Sequence, residues 1–189
     1  MQIKNKKENL KVLVTGTRGS LGKSLFRSLK QNNIKVYEAD IVDRSNTINL
    51  LKDYDLDEFN IIYHLGASSK RSDNIIDIVN KNLYATEKLF NKASKIKQIK
   101  VIFASANSVV SSRHHKQIDM NTPFSAKEFY SSSKLMGEGL LINYLGRDRS
   151  SIIRLPAIYG IINNKEGLIH RLIELSKKNK DIVIDYPNC

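Results

Sequence analysis

The sequence predicts an α/β chain built as a doubly wound parallel sheet with crossover helices, followed by the start of a second domain. Three observations carry that reading. Short apolar runs alternate with longer amphipathic stretches, the pattern of β-α-β units. Two of the runs, Val12-Leu13-Val14 and Ile61-Ile62, are continuously apolar, as parallel strands covered on both faces require. Between the first strand and the first helix lies a turn carrying Gly16, Gly19 and Gly22.

Taken in order, strands are expected at Leu10–Thr15, Ile34–Glu38, Thr47–Leu50, Ile61–Leu65, Val101–Ser105 and Ser151–Arg154. Helical spacing of apolar residues, three and four apart, occupies 20–32, 73–96 and 129–147. These elements assign a cofactor-sized domain to residues 1–160. Residues 161–189 then begin another domain with a helix at Leu168–Lys178 and a strand at Ile182–Asp185. The sequence stops at Tyr186-Pro187-Asn188-Cys189, turn chemistry that normally leads into a further strand, so the second domain is expected to be truncated.

Hydrophobic residues at 41% and charged residues at 26% exclude a disordered chain. The net charge of +12 raises nucleic acid as a partner. Lys, Asn and Ile together fill a third of the chain, however, and the lysines are scattered over helices instead of being interleaved with aromatics, so no nucleic-acid partner is expected. No apolar run approaches the roughly 18 residues of a membrane span, and the basic segment before Leu10 has no signal-peptide core. The single cysteine, Cys189, forms no intrachain disulfide, which points to a reducing, cytoplasmic setting. No His/Cys/Asp spacing suggests a metal site, and His114 and His115 match no motif.

The segment Thr15-Gly16-Thr17-Arg18-Gly19-Ser20-Leu21-Gly22 is the strongest functional signal. With 9 Gly in 189 residues, chance supplies about 0.02 such triplets. Gly16 permits a tight turn, Gly19 lets backbone approach a pyrophosphate, and Gly22 lets the helix pack closely, while the first-turn amides of Ser20 and Leu21 offer their N–H groups to the anion. This is the phosphate turn of a Rossmann-type domain. Asp40, at the end of the second strand, can accept from ribose hydroxyls and would repel a 2′-phosphate, which favours NAD over NADP. Arg18 and Arg44 are the residues able to reach a 2′-phosphate and so argue the other way.

Tyr130-Ser131-Ser132-Ser133-Lys134 sets a phenol and an ammonium four residues apart on one helix face. The cation is expected to favour the phenolate, so that Tyr130 can exchange a proton with a substrate hydroxyl. Tyr84 and Lys88 share this spacing, but they lie inside the 73–96 helix and read as a surface pair. Tyr130 instead follows the Val101–Ser105 strand, near the strand ends where ligands bind in this architecture.

The chain resembles the extended short-chain dehydrogenases/reductases of the NAD-dependent epimerase/dehydratase family, a group that includes UDP-glucose 4-epimerase. The resemblance rests on Val14 to Gly22, Asp40, Tyr63-His64-Leu65-Gly66-Ala67, Asn82, Val101 to Ser105, Tyr130 with Lys134, and Arg154-Leu155-Pro156-Ala157-Ile158-Tyr159-Gly160. It implies Tyr130 as acid/base, with Lys134 holding the nicotinamide ribose. It further implies that His64, Leu65, Gly66 and Ala67 line the cofactor, that Asn82 braces the site, that Ser105 lies at the cofactor's edge, and that the segment opening at Pro156 passes the nicotinamide. The substrate class implied is a nucleotide sugar, and homodimerisation through the helices around 73–96 and 129–147 is implied as well. Two departures stand out. The family's catalytic Ser/Thr position is Ala106, leaving Ser108 as the replacement hydroxyl, and most of the substrate domain is missing. The chain therefore reads as an NAD-dependent nucleotide-sugar epimerase or dehydratase, with a non-catalytic dinucleotide-binding relative as the alternative.

Overall fold

The computed structural model describes residues 10–39, 55–68, 74–110, 118–119, 121–159 and 168–182. The expected strand Thr47–Leu50, together with Asp40, Arg44, His114 and His115, lies outside the described residues.

Five strands form one sheet: β1 (Lys11–Thr15), β2 (Lys35–Ala39), β3 (Ile61–His64), β4 (Lys100–Ala106) and β5 (Ser150–Leu155). Every pairing is parallel and the order is β2-β1-β3-β4-β5. The order reverses between β1 and β3, because the chain steps one way from β1 to β2 and the other way to β3. Right-handed crossovers of opposite sense put helices on both faces, and the reversal leaves a crevice at the strands' carboxyl ends. The expected doubly wound architecture is thus the observed one.

The flanking helices are α1 (Ser20–Gln31), α2 (Ile75–Ile78), α3 (Ala85–Ser94) and α4 (Phe129–Leu145). The uninterrupted helix expected over 73–96 is instead α2 and α3 joined by a π-helical turn, Val79–Tyr84. The wider turn carries Asn82 to the inside, where its side chain finds three polar partners that outweigh the regular i→i−4 ladder.

The core joins Leu13, Ile62, Leu89, Phe90, Val101, Phe103, Leu141 and Leu145. Burying one such large side chain is worth about 1.5–3 kcal/mol. Phe103 of β4 lies under α4 at Gly137, where an added Cβ would stand 2.7 Å from the ring. On α4 the buried stripe is Lys134, Glu138, Leu141 and Leu145, at helical spacing but charged in its first half. Apolar burial holds the carboxyl half of this helix, and polar contacts hold its amino half.

The chain divides into two compact units, Met1–Pro156, which contains the sheet, and Ala157–Cys189, in which α5 (Leu168–Lys177) carries ion pairs from Glu174 to Lys177 and Lys178. None of the helices among the described residues is long and apolar enough to cross a membrane.

Candidate dinucleotide site

The crevice is lined first by the turn after β1. Gly16 has φ +77°, a conformation that side chains with a Cβ rarely adopt, and its N–H donates to the Ala39 carbonyl at 3.2 Å. A Cβ on Gly16 would fall 2.6 Å from the Gly66 nitrogen. The turn after β1 and the segment after β3 therefore touch through bare backbone. A Cβ on Gly22 would stand 2.2 Å from the Gly16 carbonyl oxygen, so glycine there is what lets α1 start directly on the turn. Gly19 is the N-cap of α1, makes no side-chain cap, and is followed by a first turn free of acidic residues. A helix N-terminus whose N-cap glycine makes no side-chain cap suits a pyrophosphate, whose charge the helix dipole and first-turn amides stabilise. On this ground the residues present fit a dinucleotide.

Beside the glycine turn, Thr15 Oγ1 accepts from the N–H groups of Leu65 and Gly66, both at 3.2 Å. Leu65 and Gly66 are half-buried and Ala67 is exposed, as a lining segment should be. His64 is fully buried and takes no part in the lining. Its Nδ1 is 2.8 Å from Thr15 Oγ1 and its Nε2 2.9 Å from Thr86 Oγ1. Burial, and secondarily the nearby Lys134 charge, hold its pKa down to about 3, so it is neutral at physiological pH. Arg18 lies exposed at the lip of the turn. Asp40 lies outside the described residues, and its chain neighbour Ala39 is the residue that receives the Gly16 N–H.

The second half of the site is the amino end of α4. Ser131 donates from Oγ to Ser108 Oγ at 2.8 Å, tying the residue after Tyr130 to the short 3₁₀ turn Asn107–Val109. Ser133 donates to the Tyr130 carbonyl at 2.7 Å and accepts from Asn82 Nδ2 at 3.0 Å. Asn82 in turn clasps both backbone groups of Ser68, at 2.6 and 3.0 Å. The bracing role expected of Asn82 therefore has a geometry: it pins the loop after β3 to the helix bearing Tyr130. Ala106 is buried in β4 opposite Leu155 and brings no hydroxyl. Ser108 is exposed and does.

Three expected contributions take other forms. Burial pushes the Tyr130 phenol above its ordinary range, so the expected lowering by Lys134 is not what the protein alone provides. Lys134 is 4% exposed, and its ammonium donates to the Ala104 carbonyl at 2.7 Å and lies 4.7 Å from the Phe103 ring centroid. Desolvation lowers its pKa to about 8. Ser105 donates its hydroxyl to Glu138, 2.5 Å away inside the protein, which takes that side chain from any cofactor. Pro156 is exposed just past β5.

Sequence reasoning missed Glu138. Buried in α4, it accepts from Ser105 and is gripped by Arg154 Nε at 3.0 Å and Nη2 at 2.7 Å. Its carboxylate raises the Arg154 pKa, and the guanidinium stacks 5.1 Å from the Phe124 ring. A signal was present, since Glu138 lies four residues after Lys134 on the stripe that should be apolar. Tyr84 is as expected a surface residue, half exposed, with Lys88 5.2 Å above its ring. Among the described residues no group of three His, Cys, Asp or Glu is arranged to hold a metal.

A parallel sheet with a glycine cradle at its reversal point defines a dinucleotide-binding α/β protein of Rossmann type. The chain belongs to the NAD dependent epimerase/dehydratase family, whose model matches residues 12–185. NAD is the cofactor of that family, as the sequence led one to expect. A curated relative, a sterol-4-alpha-carboxylate 3-dehydrogenase (decarboxylating) of Dictyostelium discoideum, is 25% identical over 88% of this chain and 58% of its own length. Among solved structures, a UDP-glucuronic acid 4-epimerase from Bacillus cereus in complex with NAD superposes with TM-score 0.72 and 22% identity, over 93% of this chain and 66% of the other. A dTDP-4-dehydrorhamnose reductase from Bacillus anthracis in complex with NADP gives TM-score 0.77 and 20% identity, over 92% and 62%. At such identities the structures speak for the fold. The chain spans less than two thirds of the length of these relatives.

Proposed function

We propose that the chain carries the NAD-binding half of a nucleotide-sugar epimerase or dehydratase, with Tyr130 as its proton-exchanging residue. The observation that supports this most is the joint placement, at the carboxyl edge of one sheet, of a bare glycine cradle and a tyrosine flanked by the Ser131–Ser108 hydroxyl pair. NAD, when bound, supplies a two-electron hydride acceptor and donor. The chain's residues divide the remaining work. The glycine turn and the 65–67 segment hold the dinucleotide, and Asp40 selects the form without a 2′-phosphate. Tyr130 Oη exchanges a proton with a sugar hydroxyl. Ser108 orients that hydroxyl from two residues beyond the family's usual position, now Ala106. Lys134 acts on Tyr130 once its ammonium leaves the Ala104 carbonyl.

The same reading assigns residues 1–160 to the cofactor domain and 161–189 to the beginning of a substrate domain, and places the protein in a reducing cytoplasm. It includes a homodimer formed over the apolar groove between the π turn and α4, lined by Val79, Leu83, Tyr84, Met136 and Leu140. A second reading, a dinucleotide-binding module without catalysis, draws on Ala106 and on the buried engagement of Lys134.

Mixing the NAD⁺-loaded chain with UDP-, GDP- and dTDP-sugars, and with a sterol 4-carboxylate because of the curated relative, distinguishes them through absorbance of reduced nicotinamide. Reduction by a nucleotide sugar that Tyr130→Phe abolishes supports the enzyme. Saturable NAD⁺ binding without reduction by any of them supports the module, and normal reduction by Tyr130→Phe removes Tyr130 from its role.

A further inference from the structure

We propose that His64 is a positioning residue for the dinucleotide site: a neutral imidazole of fixed tautomer that, through Thr15, holds the Leu65–Gly66 segment against the glycine turn. The inference rests on the proposed dinucleotide site and assigns a buried side chain that touches no ligand. Its basis is hydrogen-bond accounting around one oxygen. Thr15 Oγ1 has two acceptor lone pairs and one proton. The Leu65 and Gly66 N–H groups, both 3.2 Å away, can only donate, and they occupy both lone pairs. The remaining contact, His64 Nδ1 at 2.8 Å, must therefore receive the Thr15 proton. Nδ1 is then bare, and the ring proton of the neutral imidazole sits on Nε2, donating to Thr86 Oγ1 at 2.9 Å.

The alternative tautomer, or the doubly protonated ring, would aim a third donor at Thr15 and displace one loop amide. His64 is locked against such rearrangement. It is fully buried, stacked on Phe103 with centroids 5.5 Å apart, and met edge-on by Phe90 at the same distance. Among the described residues the charged side chain that acts on it is Lys134, whose positive charge also disfavours a protonated ring. The effect reaches the ligand side because the amides being held belong to the backbone that stands against Gly16.

Substitutions that mimic one ring nitrogen at a time separate this role from mere packing. In His64→Asn the amide oxygen can replace Nδ1 as acceptor, whereas in His64→Gln the amide nitrogen reaches the Nε2 position and the Thr15 acceptor is lost. Three measurements on the 189-residue chain follow. Nitrogen-15 NMR of the imidazole in wild type is expected to show an unprotonated Nδ1 and a protonated Nε2. Hydrogen exchange at the Leu65 and Gly66 amides should accelerate about tenfold or more in His64→Gln and change little in His64→Asn. NAD⁺ affinity, by titration, should follow the same order, with His64→Gln weakened about tenfold and His64→Asn within a few-fold of wild type. A protonated Nδ1 in wild type, or equal loss in the two variants, overturns the assignment. If wild type binds no NAD⁺, the proposed function fails, while the tautomer and amide-exchange results still decide whether His64 holds the segment. If neither variant folds, the wild-type tautomer decides.

Discussion

Replacing Lys134 by methionine should stabilise the protein near neutral pH and lose that advantage in base. Lys134 is 4% exposed, and its ammonium has no carboxylate against it among the described residues and is compensated by one carbonyl and one aromatic face. Burial therefore lowers its pKa from 10.5 to about 8. A lysine with a depressed folded pKa binds its proton less tightly folded than unfolded. The folded state is penalised while the group is charged in both states, and the penalty fades as pH climbs from about 8 to 10.5. At about 1.4 kcal/mol for each pH unit, the penalty at pH 7 is roughly 3 kcal/mol, an order-of-magnitude figure. Methionine has similar length and fills the space above Phe103 but forfeits the bond to Ala104, about 1 kcal/mol, while the cation–π contact belongs only to the charged form and is already contained in its shifted pKa. The variant should then be about 2 kcal/mol more stable than wild type at pH 7 and about 1 kcal/mol less stable at pH 10.5. Urea unfolding of both proteins at the two pH values measures the difference, with all other titrating groups common to the pair. A difference in stability that stays constant between pH 7 and 10.5 would refute the reasoning.

Other outcomes follow from the same geometry. Gly22→Ala drives a methyl to within 2.2 Å of the Gly16 carbonyl and should cost about 1–3 kcal/mol in a urea melt while loosening the phosphate turn. Arg154→Met leaves the Glu138 carboxylate buried with Ser105 alone. It should destabilise by about 3 kcal/mol, the low end for a broken buried pair because Arg154 is 30% exposed, and a double-mutant cycle with Glu138→Gln should recover part of that loss. Ser131→Ala removes the donor to Ser108 and should cost less than about 1.5 kcal/mol of stability, while Ser131→Thr restores the bond; equal unfolding midpoints for all three proteins would show that the pair is not a fixed contact.

What the sequence displayed well was whatever depends on local order along the chain. The apolar runs that became β1 and β3 and the glycine spacing that became the cradle could be read directly, because strand burial and turn geometry are imposed by neighbouring residues. The polar groups were harder, because their partners come from other elements. Nothing near Lys134 in sequence says that its ammonium will meet the carbonyl of Ala104, 30 residues back. Ser105 shows the limit of alternation in a strand: the pleat turns it away from Ala106, but only the helix stripe reveals that Glu138 waits on that face. The π turn was invisible to a helical period, since one widened turn shifts the pattern by less than the spacing of apolar residues blurs it. Asp40 had a clear expected role and lies outside the described residues.

The central claim is that the bare helix N-terminus at Gly19 receives a dinucleotide pyrophosphate, and calorimetric titration of wild type and Gly19→Asp with NAD⁺ tests it most directly. Gly19 has φ −77° and ψ 160°, which aspartate adopts, and although its Cβ would stand a tight 3.3 Å from the Gly16 carbonyl oxygen, aspartate is a preferred N-cap whose gain offsets that contact, so α1 should keep about the same stability in the variant. A carboxylate in the cradle would nevertheless oppose the pyrophosphate. The account predicts saturable one-site binding to wild type and a loss of about a hundredfold or more in the variant, with its thermal stability retained. Absence of saturable binding by wild type, or equal affinity in a folded Gly19→Asp, would contradict it.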